Sequence, residues 1–228
     1  MTHLSTRIHA LVLCTPLLGA AAAHANLLSN GSFESGAFVN QDNDTMSLPA
    51  GSIAISGWTV VTDTTAWIGP TNPFGLSAND GSFFLDLTNY QAGLPFAGMS
   101  QVIATTPGAT YALSFDLGGS TFWGRPDAIT ASAAGTSATF TTPLTGTNNE
   151  WQHVSMPFTA SSSLTTVLLQ GVTGSNYIGL DNASVDFVSA PAVPEPATLA
   201  LLSLGLAGMG LARRRKERRS RTSRRAGT

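Results

Sequence analysis

The middle of the chain is organised by an alternation of apolar and polar residues with a period of two. In Ala109–Leu117, one set of alternate positions is apolar throughout: Tyr111, Leu113, Phe115 and Leu117. The same period recurs in Ser82–Leu87, in Val154–Phe158, and from Ile53 and Ile55 into Trp58–Val60. Such alternation is typical of half-buried β-strands. Leu164–Gln170 is more continuously apolar and predicts an inner strand.

Turn-forming residues separate these strands. The clusters are Asn79-Asp80-Gly81, Thr106-Pro107-Gly108, Gly146–Asn149 and Gly174-Ser175-Asn176. Long amphipathic helices and internal repeats are absent from the pattern. Short strands punctuated by turns indicate an all-β fold. We therefore predict an antiparallel, jelly-roll-like β-sandwich.

One predicted strand changes phase. In Tyr177–Val188, the apolar residues Ile178 and Leu180 are at even positions, whereas Val185 and Phe187 are at odd positions. A regular strand cannot place all four on one face, so the pattern predicts a β-bulge near Asp181-Asn182-Ala183. The polar groups at such a bulge either form a ligand site or only stabilise the bulge.

The N-terminal segment has the three parts of a secretory signal. Arg7 supplies positive charge, Ile8–Ala23 is mostly apolar, and Ala23 and Ala25 are the small residues expected before a cleavage site. We expect a signal helix over residues 1–25, removed by signal peptidase before Asn26. Cys14 is the only cysteine, which excludes disulfides and thiolate metal clusters, and Leu13 is unsuited to a lipobox.

The C-terminal segment has an equally ordered pattern. A Pro-rich linker, residues 190–196, contains Pro194-Glu195-Pro196 and precedes the apolar run Ala197–Ala212. As a helix, this run would span about 24 Å, against about 30 Å of bilayer hydrocarbon. It therefore predicts a short transmembrane helix. The positive-inside rule leaves the Arg-rich tail, residues 213–228, in the cytoplasm of the precursor.

This order closely resembles the PEP-CTERM sorting signal of Gram-negative bacteria. The resemblance implies export across the inner membrane, cleavage by exosortase near the motif, and a mature protein at the cell surface or in an exopolysaccharide matrix. The recognition motif would be Pro194, Glu195 and Pro196, with Arg213, Arg214, Arg215 and Lys216 as the basic cluster. In the alternative, the helix is a plain anchor that stays attached. The chain contacts the membrane only as a precursor if it is processed.

Charge divides the chain sharply. Nine of the 11 Lys and Arg residues lie in 213–228, and Arg125 is the only base within 26–189. That central segment holds 11 of the 13 acidic residues and so has a formal net charge of −10. It has no basic patch for a nucleic-acid backbone, and we exclude nucleic acid as a partner.

A second resemblance covers nearly all of residues 26–189. The motifs are Leu28–Glu34, Gly57-Trp58, Pro107–Tyr111, Trp151–Phe158 and Gly179–Val185. In this order they resemble galactose-binding-like β-sandwich domains, which include carbohydrate-binding modules. The resemblance implies that the terminal strands lie close together and that Glu34 and Asp181 hold a structural Ca²⁺. Alternatively, Glu34 caps a local turn and Asp181 satisfies bulge amides.

The candidate chemistry favours binding over catalysis. His153 is the only histidine outside the signal segment and is predicted on the outward face of a strand. No motif selects a catalytic pair of carboxylates. Asp42 and Asp44 lack the Gly and the distal Glu of an EF-hand loop, which predicts a solvated loop. We therefore predict a non-catalytic protein, with a glycoside-active enzyme as the lesser alternative.

Aromatic residues supply the candidate ligand site. Trp58 and Trp151 lie within strand patterns and are predicted to be core residues. Trp67 and Trp123 have Gly- and Pro-rich surroundings and are the predicted sugar platforms, with Tyr90 and Arg125 as weaker partners. We expect an extracellular polysaccharide as ligand. The alternative is a structural or adhesive matrix protein without a defined sugar site.

Overall fold

The computed structural model describes residues 26–91, 93–119, 127–142, 150–174, 177–191, 201–202, 204–210 and 213. The strands are β1 (Thr45–Leu48), β2 (Thr59–Val61), β3 (Thr65–Ile68), β4 (Phe84–Asp86), β5 (Gly98–Ala104), β6 (Thr110–Gly119), β7 (Ala128–Ala133), β8 (Thr136–Thr141), β9 (Glu150–Thr159), β10 (Leu164–Thr173) and β11 (Gly179–Ser189). They form a six-stranded sheet, β1-β3-β4-β11-β6-β9, and a five-stranded sheet, β2-β5-β10-β7-β8. All pairings are antiparallel, which confirms the predicted two-sheet class.

The main core lies between the two sheets. The alternating residues predicted for β6 and β9 face it, and β10 is an inner strand, as predicted. One expected pair is wrong: Ile55 is 1% exposed, whereas Ile53 is 75% exposed. Ile53 and Ile55 lie in the loop before β2, where strand alternation does not apply.

A smaller apolar cluster covers part of the outer face of the six-stranded sheet. Its buried members are Ala66, Ile68, Leu76, Phe84 and Tyr177. Leu76 belongs to the long segment between β3 and β4, which folds back over the sheet. Both faces of β4 are therefore buried, although the alternating pattern of Ser82–Leu87 predicted a half-buried strand.

The predicted β-bulge is confirmed. Asp181 pairs with Asp116, but the next pair joins Ser184 to Ser114, so β11 has one extra residue at this point. Asn182 in the bulge has a φ of 48°. The extra residue restores the phase that lets both halves of β11 face the core.

The two ends of the domain lie together, as the resemblance implied. Leu27 N donates to Val185 O at 2.9 Å, and Ala183 N donates to Gly31 O at 2.8 Å. A Cβ on Gly31 would lie 1.9 Å from Ala183 O, so the Asn-Gly turn requires glycine here.

The predicted signal helix lies outside the described residues, as do Pro194, Glu195, Pro196, Arg214, Arg215 and Lys216. Helical residues occur at 201–202, 204–210 and 213, and Arg213 is exposed. Within the described part of the chain, no helix has the length and apolar character needed to cross a bilayer.

Candidate functional site

A shallow pocket opens on the outer face of the six-stranded sheet, at its edge strand β1. Met46 and Leu48 pack on the core, so Thr45 and Ser47 point outward. The pocket has a volume of about 190 Å³. It is called the β1 pocket here, and its lining residues are Gln41, Asp42, Asn43, Thr45, Ser47, Phe74 and Tyr90.

The loop before β1 presents polar side chains to this pocket. Backbone hydrogen bonds between residues 41–42 and Thr45 fold the loop, and Gln41 Oε1 accepts the Ser47 amide at 2.8 Å. Within the described residues, the Gln41 Nε2 group and the Asp42 and Asn43 side chains make no hydrogen bond. All three residues are exposed. They can therefore offer donors and acceptors to a ligand.

Asp44 has a structural role beside the pocket. Its Oδ2 accepts the Thr71 amide at 2.7 Å and the Thr71 hydroxyl at 2.8 Å. Its backbone carbonyl accepts the Gly69 amide at 2.8 Å. The expected solvated loop is therefore wrong for Asp44, which ties the β1 loop to the turn after β3.

Tyr90 forms the aromatic wall of the pocket. It is 38% exposed, and its hydroxyl lies 3.0 Å from Thr45 Oγ1. Its ring centroid is 5.1 Å from that of Phe74. Burial, with a further contribution from the charges of Asp86 and Asp42, raises the pKa of Tyr90 to about 12. The hydroxyl therefore stays neutral under physiological conditions.

A buried carboxyl group positions Tyr90. Asp86 is fully buried and accepts the amides of Thr88 at 3.0 Å, Tyr90 at 3.2 Å and Ile178 at 2.8 Å. The Thr88 hydroxyl also donates to it. Burial raises the pKa of Asp86 to about 6, against the lowering effect of these hydrogen bonds. Asp86 thus fixes the turn that carries Tyr90.

Left-handed backbone conformations are concentrated around the pocket. Asn43, Asp44, Asn89 and Tyr90 have φ values of 50°, 57°, 46° and 65°. Asn and Asp tolerate this region, but a tyrosine there is uncommon and strained. Strain of this kind collects at ligand sites, where it holds side chains in place.

A second polar group lies on the same outer face, toward the opposite sheet edge. Asp116 Oδ1 lies 2.7 Å from His153 Nδ1, and Asp116 Oδ2 accepts Asn79 Nδ2 at 2.6 Å and Asn182 Nδ2 at 3.0 Å. The His153 side chain is 62% exposed, which confirms its outward face. In the described residues no hydroxyl is hydrogen-bonded to His153, whereas a triad needs a nucleophile beside the base.

The predicted calcium ligands hold one loop from two positions. Glu34 Oε1 accepts the amides of Ser82 and Phe83 at 2.8 and 2.7 Å. Asp181 Oδ2 accepts those of Asn79 and Asp80 at 2.8 and 2.9 Å. Burial raises the pKa of Asp181 to about 7.

These contacts bear on the predicted Ca²⁺, which takes 6–8 oxygen ligands. Both carboxylates face N–H donors rather than further oxygens. Over the described ranges, no group of three His, Cys, Asp or Glu residues could hold a metal ion. The arrangement fits the loop-holding alternative better than a cation site made by these side chains. Calcium binding stays a prediction.

The predicted aromatic platforms have different outcomes. Trp67 is 1% exposed and donates from Nε1 to Phe33 O at 3.0 Å, so its assignment as a platform is wrong. It lies in β3, although Gly69 and Pro70 after the strand predicted a loop here. Trp123 and Arg125 lie outside the described residues. Of the two predicted ligand residues that the structure describes, Tyr90 lies at a pocket and Trp67 is buried.

The contacts of Trp58 and Trp151, the two tryptophans predicted to be core residues, show where each one packs. Trp58 is 2% exposed and donates from Nε1 to Asn30 O at 2.9 Å, which confirms its core position. Trp151 packs instead on the outer face, against Phe84, and donates from Nε1 to Ser77 O. It covers the smaller apolar cluster rather than the space between the sheets.

Five pocket residues were missed by sequence reasoning: Gln41, Asn43, Thr45, Ser47 and Phe74. The polar run Asn40–Asp44 is the signal in the sequence that could have indicated the pocket, since its amide side chains can bind a ligand as well as its carboxylates. Phe74 and Tyr90 come from separate loops. Their meeting at β1 depends on the order β1-β3-β4, which sequence patterns do not specify.

A second depression lies near the start of β6 and the end of β11. It has a volume of about 360 Å³ and is lined by Leu27, Ala104, Thr105, Thr106, Tyr111 and Phe187. The Tyr111 hydroxyl accepts the Thr106 amide at 2.9 Å. This depression marks the end of the sandwich at which the chain enters and leaves.

The solved structures to which this chain is similar include carbohydrate-binding modules and parts of two longer chains, a bacteriophage tailspike enzymatically active domain and an Arthrobacter globiformis isomalto-dextranase. TmCBM61 in complex with β-1,4-galactotriose is 18% identical, over 72% of this chain and 99% of that chain, with a TM-score of 0.44. A structure described under "CBM4 structure and function" is 16% identical over 71% and 99%, with a TM-score of 0.42. A family 35 module from Clostridium thermocellum is 10% identical over 61% and 97%, with a TM-score of 0.42. None of the curated protein sequences matches this chain.

Two family models match the sequence. One, described as the PEP-CTERM protein-sorting motif, matches residues 192–216 and confirms the predicted sorting signal of an exported, surface-sorted protein. The other, described as "Protein of unknown function (DUF642)", matches residues 26–178 and so covers most of the β-sandwich. The chain therefore belongs to the DUF642 family and carries a PEP-CTERM sorting signal at its C-terminal end.

Proposed function

We propose that this exported protein binds carbohydrate through the β1 pocket without altering it chemically. Its setting would be the surface or exopolysaccharide matrix, including biofilm, of a Gram-negative bacterium. The PEP-CTERM motif supplies the export and surface sorting, with exosortase as the processing partner.

The observation that carries this proposal is the composition of the β1 pocket. A half-exposed Tyr90 ring stands beside an exposed amide, a carboxylate and a second amide, from Gln41, Asp42 and Asn43. A sugar presents apolar C–H faces and a ring of hydroxyl groups. An aromatic face with hydrogen-bonding groups alongside matches both parts of that surface.

The position of the pocket suits display at a surface. The pocket lies near the start of β11, since Asp86 below it pairs with Gly179. Phe187 and Leu27 meet at the other end of this strand, and Pro191 lies beside Gly108 there. Along β11, the pocket end and the end at Phe187 are roughly 20–25 Å apart. The chain therefore leads to its sorting motif from the end opposite the pocket.

The roles of the carboxylates favour a non-catalytic mode. Glu34, Asp44, Asp86, Asp116 and Asp181 each accept hydrogen bonds that hold loops or strands in place. A glycosidase instead needs two carboxylates facing a substrate at a suitable separation. Hydrolysis of the bound glycan would contradict this part of the proposal.

A glycan array probed with the full-length chain in mild detergent tests the proposal. The wild type should bind a defined set of glycans. Tyr90→Asn should lose that binding, because asparagine tolerates the φ of 65° but removes the ring. Gln152→Ala, an exposed residue on β9 at the opposite sheet edge, should bind as the wild type does.

The alternative is a structural or adhesive matrix protein that interacts through its acidic, hydrated surface. An empty array together with calcium-dependent self-association would favour it. Processing by exosortase is tested separately by the mass of the surface form. Loss of the Arg-rich tail supports processing, and its retention indicates a plain anchor.

A further inference from the structure

We infer that the β1 pocket selects neutral, hydroxyl-rich glycans over glycans that carry carboxylate or sulfate groups. This inference rests on the proposed function and specifies its ligand class.

The charge of the pocket has one sign. Among the described residues that line it, Asp42 alone is charged, and Asp44 follows two residues later. The charge of Asp42 reaches the Tyr90 hydroxyl, whose pKa it helps to raise. The described ranges 26–91, 93–119, 127–142, 150–174 and 177–191 contain no lysine or arginine, and Arg125 lies outside them. An anionic sugar in the pocket would face Asp42 without a described counter-charge.

The hydrogen-bonding groups match neutral sugars. The Asp42 carboxylate only accepts hydrogen bonds, and a sugar hydroxyl can donate to it. Gln41 Nε2 donates, and the Asn43 amide both donates and accepts. Neighbouring sugar hydroxyls could therefore be bound both as acceptors and as donors. A uronate carboxylate or a sulfate cannot donate and would leave Asp42 without a partner.

The size of the pocket limits what is recognised. Its volume of about 190 Å³ is below the range typical of pockets for drug-sized ligands, about 300–1,000 Å³. It would therefore enclose only a small part of a longer glycan. One charged group on that part would decide whether it enters.

The test uses an array of neutral oligosaccharides paired with derivatives oxidised at C6 to uronates, so that each pair shares linkage and size. The full-length chain is applied in EDTA and again with calcium. The neutral member of each bound pair should bind at least about tenfold more strongly in both buffers. Asp42→Asn, which keeps an acceptor oxygen, should narrow this ratio several-fold. The narrowing should be smaller at high salt.

Asp63→Asn is the matched control. Asp63 lies between β2 and β3, and its Oδ1 accepts the Thr64 amide, a bond that asparagine can keep. This variant should leave the neutral-to-uronate ratio unchanged. Melting curves of each variant show that the fold is intact. Equal or stronger binding of uronates in either buffer contradicts the inference but leaves carbohydrate binding standing. Binding to no member of the array contradicts the proposed function itself.

Discussion

The Tyr90 hydroxyl lies 3.0 Å from Thr45 Oγ1 and joins the loop after β4 to the outward face of the edge strand β1. The two residues are 45 positions apart in the chain, yet this contact closes the β1 pocket on one side. Thr45 itself is buried, whereas the Tyr90 ring remains partly exposed. The bond therefore holds the ring in a partly exposed position rather than in a core.

Removal of this hydrogen bond should loosen the pocket. Thr45→Val keeps the β-branched shape and Tyr90→Phe keeps the ring, but each deletes one hydroxyl. Each should lower stability by about 0.5–1.5 kcal/mol and lower glycan affinity several-fold. In a double-mutant cycle the effects should not add, because the second change has no bond left to remove. Full additivity in urea unfolding and in affinity would show that the contact is not formed.

Asn43 offers a second test that leaves the backbone undisturbed. Asn43→Gly retains the φ of 50° without strain and removes only the side-chain amide. We expect a loss of glycan affinity of about three- to tenfold, the value of one hydrogen bond of about 0.7–1.4 kcal/mol. Gln152→Ala removes a similar amide at the far edge of the sheet. Equal effects of the two changes in calorimetric titrations would exclude a specific role for Asn43.

Asp86 predicts a pH dependence of stability. The pKa of Asp86 is about 6 in the folded state, above the ordinary value of 3.8. As the pH rises, the folded protein therefore keeps this proton to a higher pH than the unfolded chain does. The contribution of Asp86 is fully present below about pH 3.8 and is lost as the pH rises to about 6. Its size is about 3 kcal/mol.

Urea unfolding from pH 4 to pH 7 measures this effect. The wild type should lose stability over the window from about pH 4 to 6. Asp86→Asn should lose about 3 kcal/mol less over that window, and the slope that remains reflects Asp181, whose pKa is also raised. Parallel curves for the two proteins would show that Asp86 does not titrate in this way. Asp63→Asn, with a half-buried surface carboxyl removed, serves as the control.

We predict that the carboxylates of Glu34 and Asp181 stabilise the loop at residues 79–83. Glu34→Ala should lower the melting temperature in EDTA, because the Ser82 and Phe83 amides lose their acceptor. Glu34→Gln keeps one acceptor oxygen and should lower the melting temperature less than Glu34→Ala does. Calcium that raises the melting temperature of the wild type, but of neither variant, would show a bound cation as well. No change on Glu34→Ala in any buffer would contradict the loop-holding role.

Gly31 should be intolerant of a side chain. A Cβ there would lie 1.9 Å from Ala183 O, where the two ends of the domain meet. Gly31→Ala should destabilise the domain by about 1–3 kcal/mol. A Cβ on Gly93 has no neighbour within 4 Å, so Gly93→Ala is the matched control. Equal melting temperatures for the two variants would contradict the terminal contact.

The sequence was most informative where a local pattern has one physical solution. The phase change between Leu180 and Val185 required a bulge, and the structure has it between Asp181 and Ser184. Alternation in β6 and β9 likewise predicted which residues face the core. These features depend on the two-residue period of a strand, which is readable without knowing its neighbours.

The pocket could not be predicted in the same way. Trp67 looked exposed because Gly69 and Pro70 follow it, but β3 lies inside a sheet and buries the ring. Tyr90 was found as an aromatic residue, whereas Phe74 and Thr45 were not, since they meet it only through the fold. Long-range strand order decides such contacts, and it leaves little trace in local sequence.

Carbohydrate binding by the β1 pocket is tested most directly by isothermal titration of the full-length chain with the strongest glycan from the array. We expect saturable binding by the wild type and by Gln152→Ala. We expect an affinity at least about tenfold lower for Tyr90→Asn, a loss of about 1.4 kcal/mol or more. The same affinity for a folded Tyr90→Asn as for the wild type would contradict carbohydrate binding by the β1 pocket.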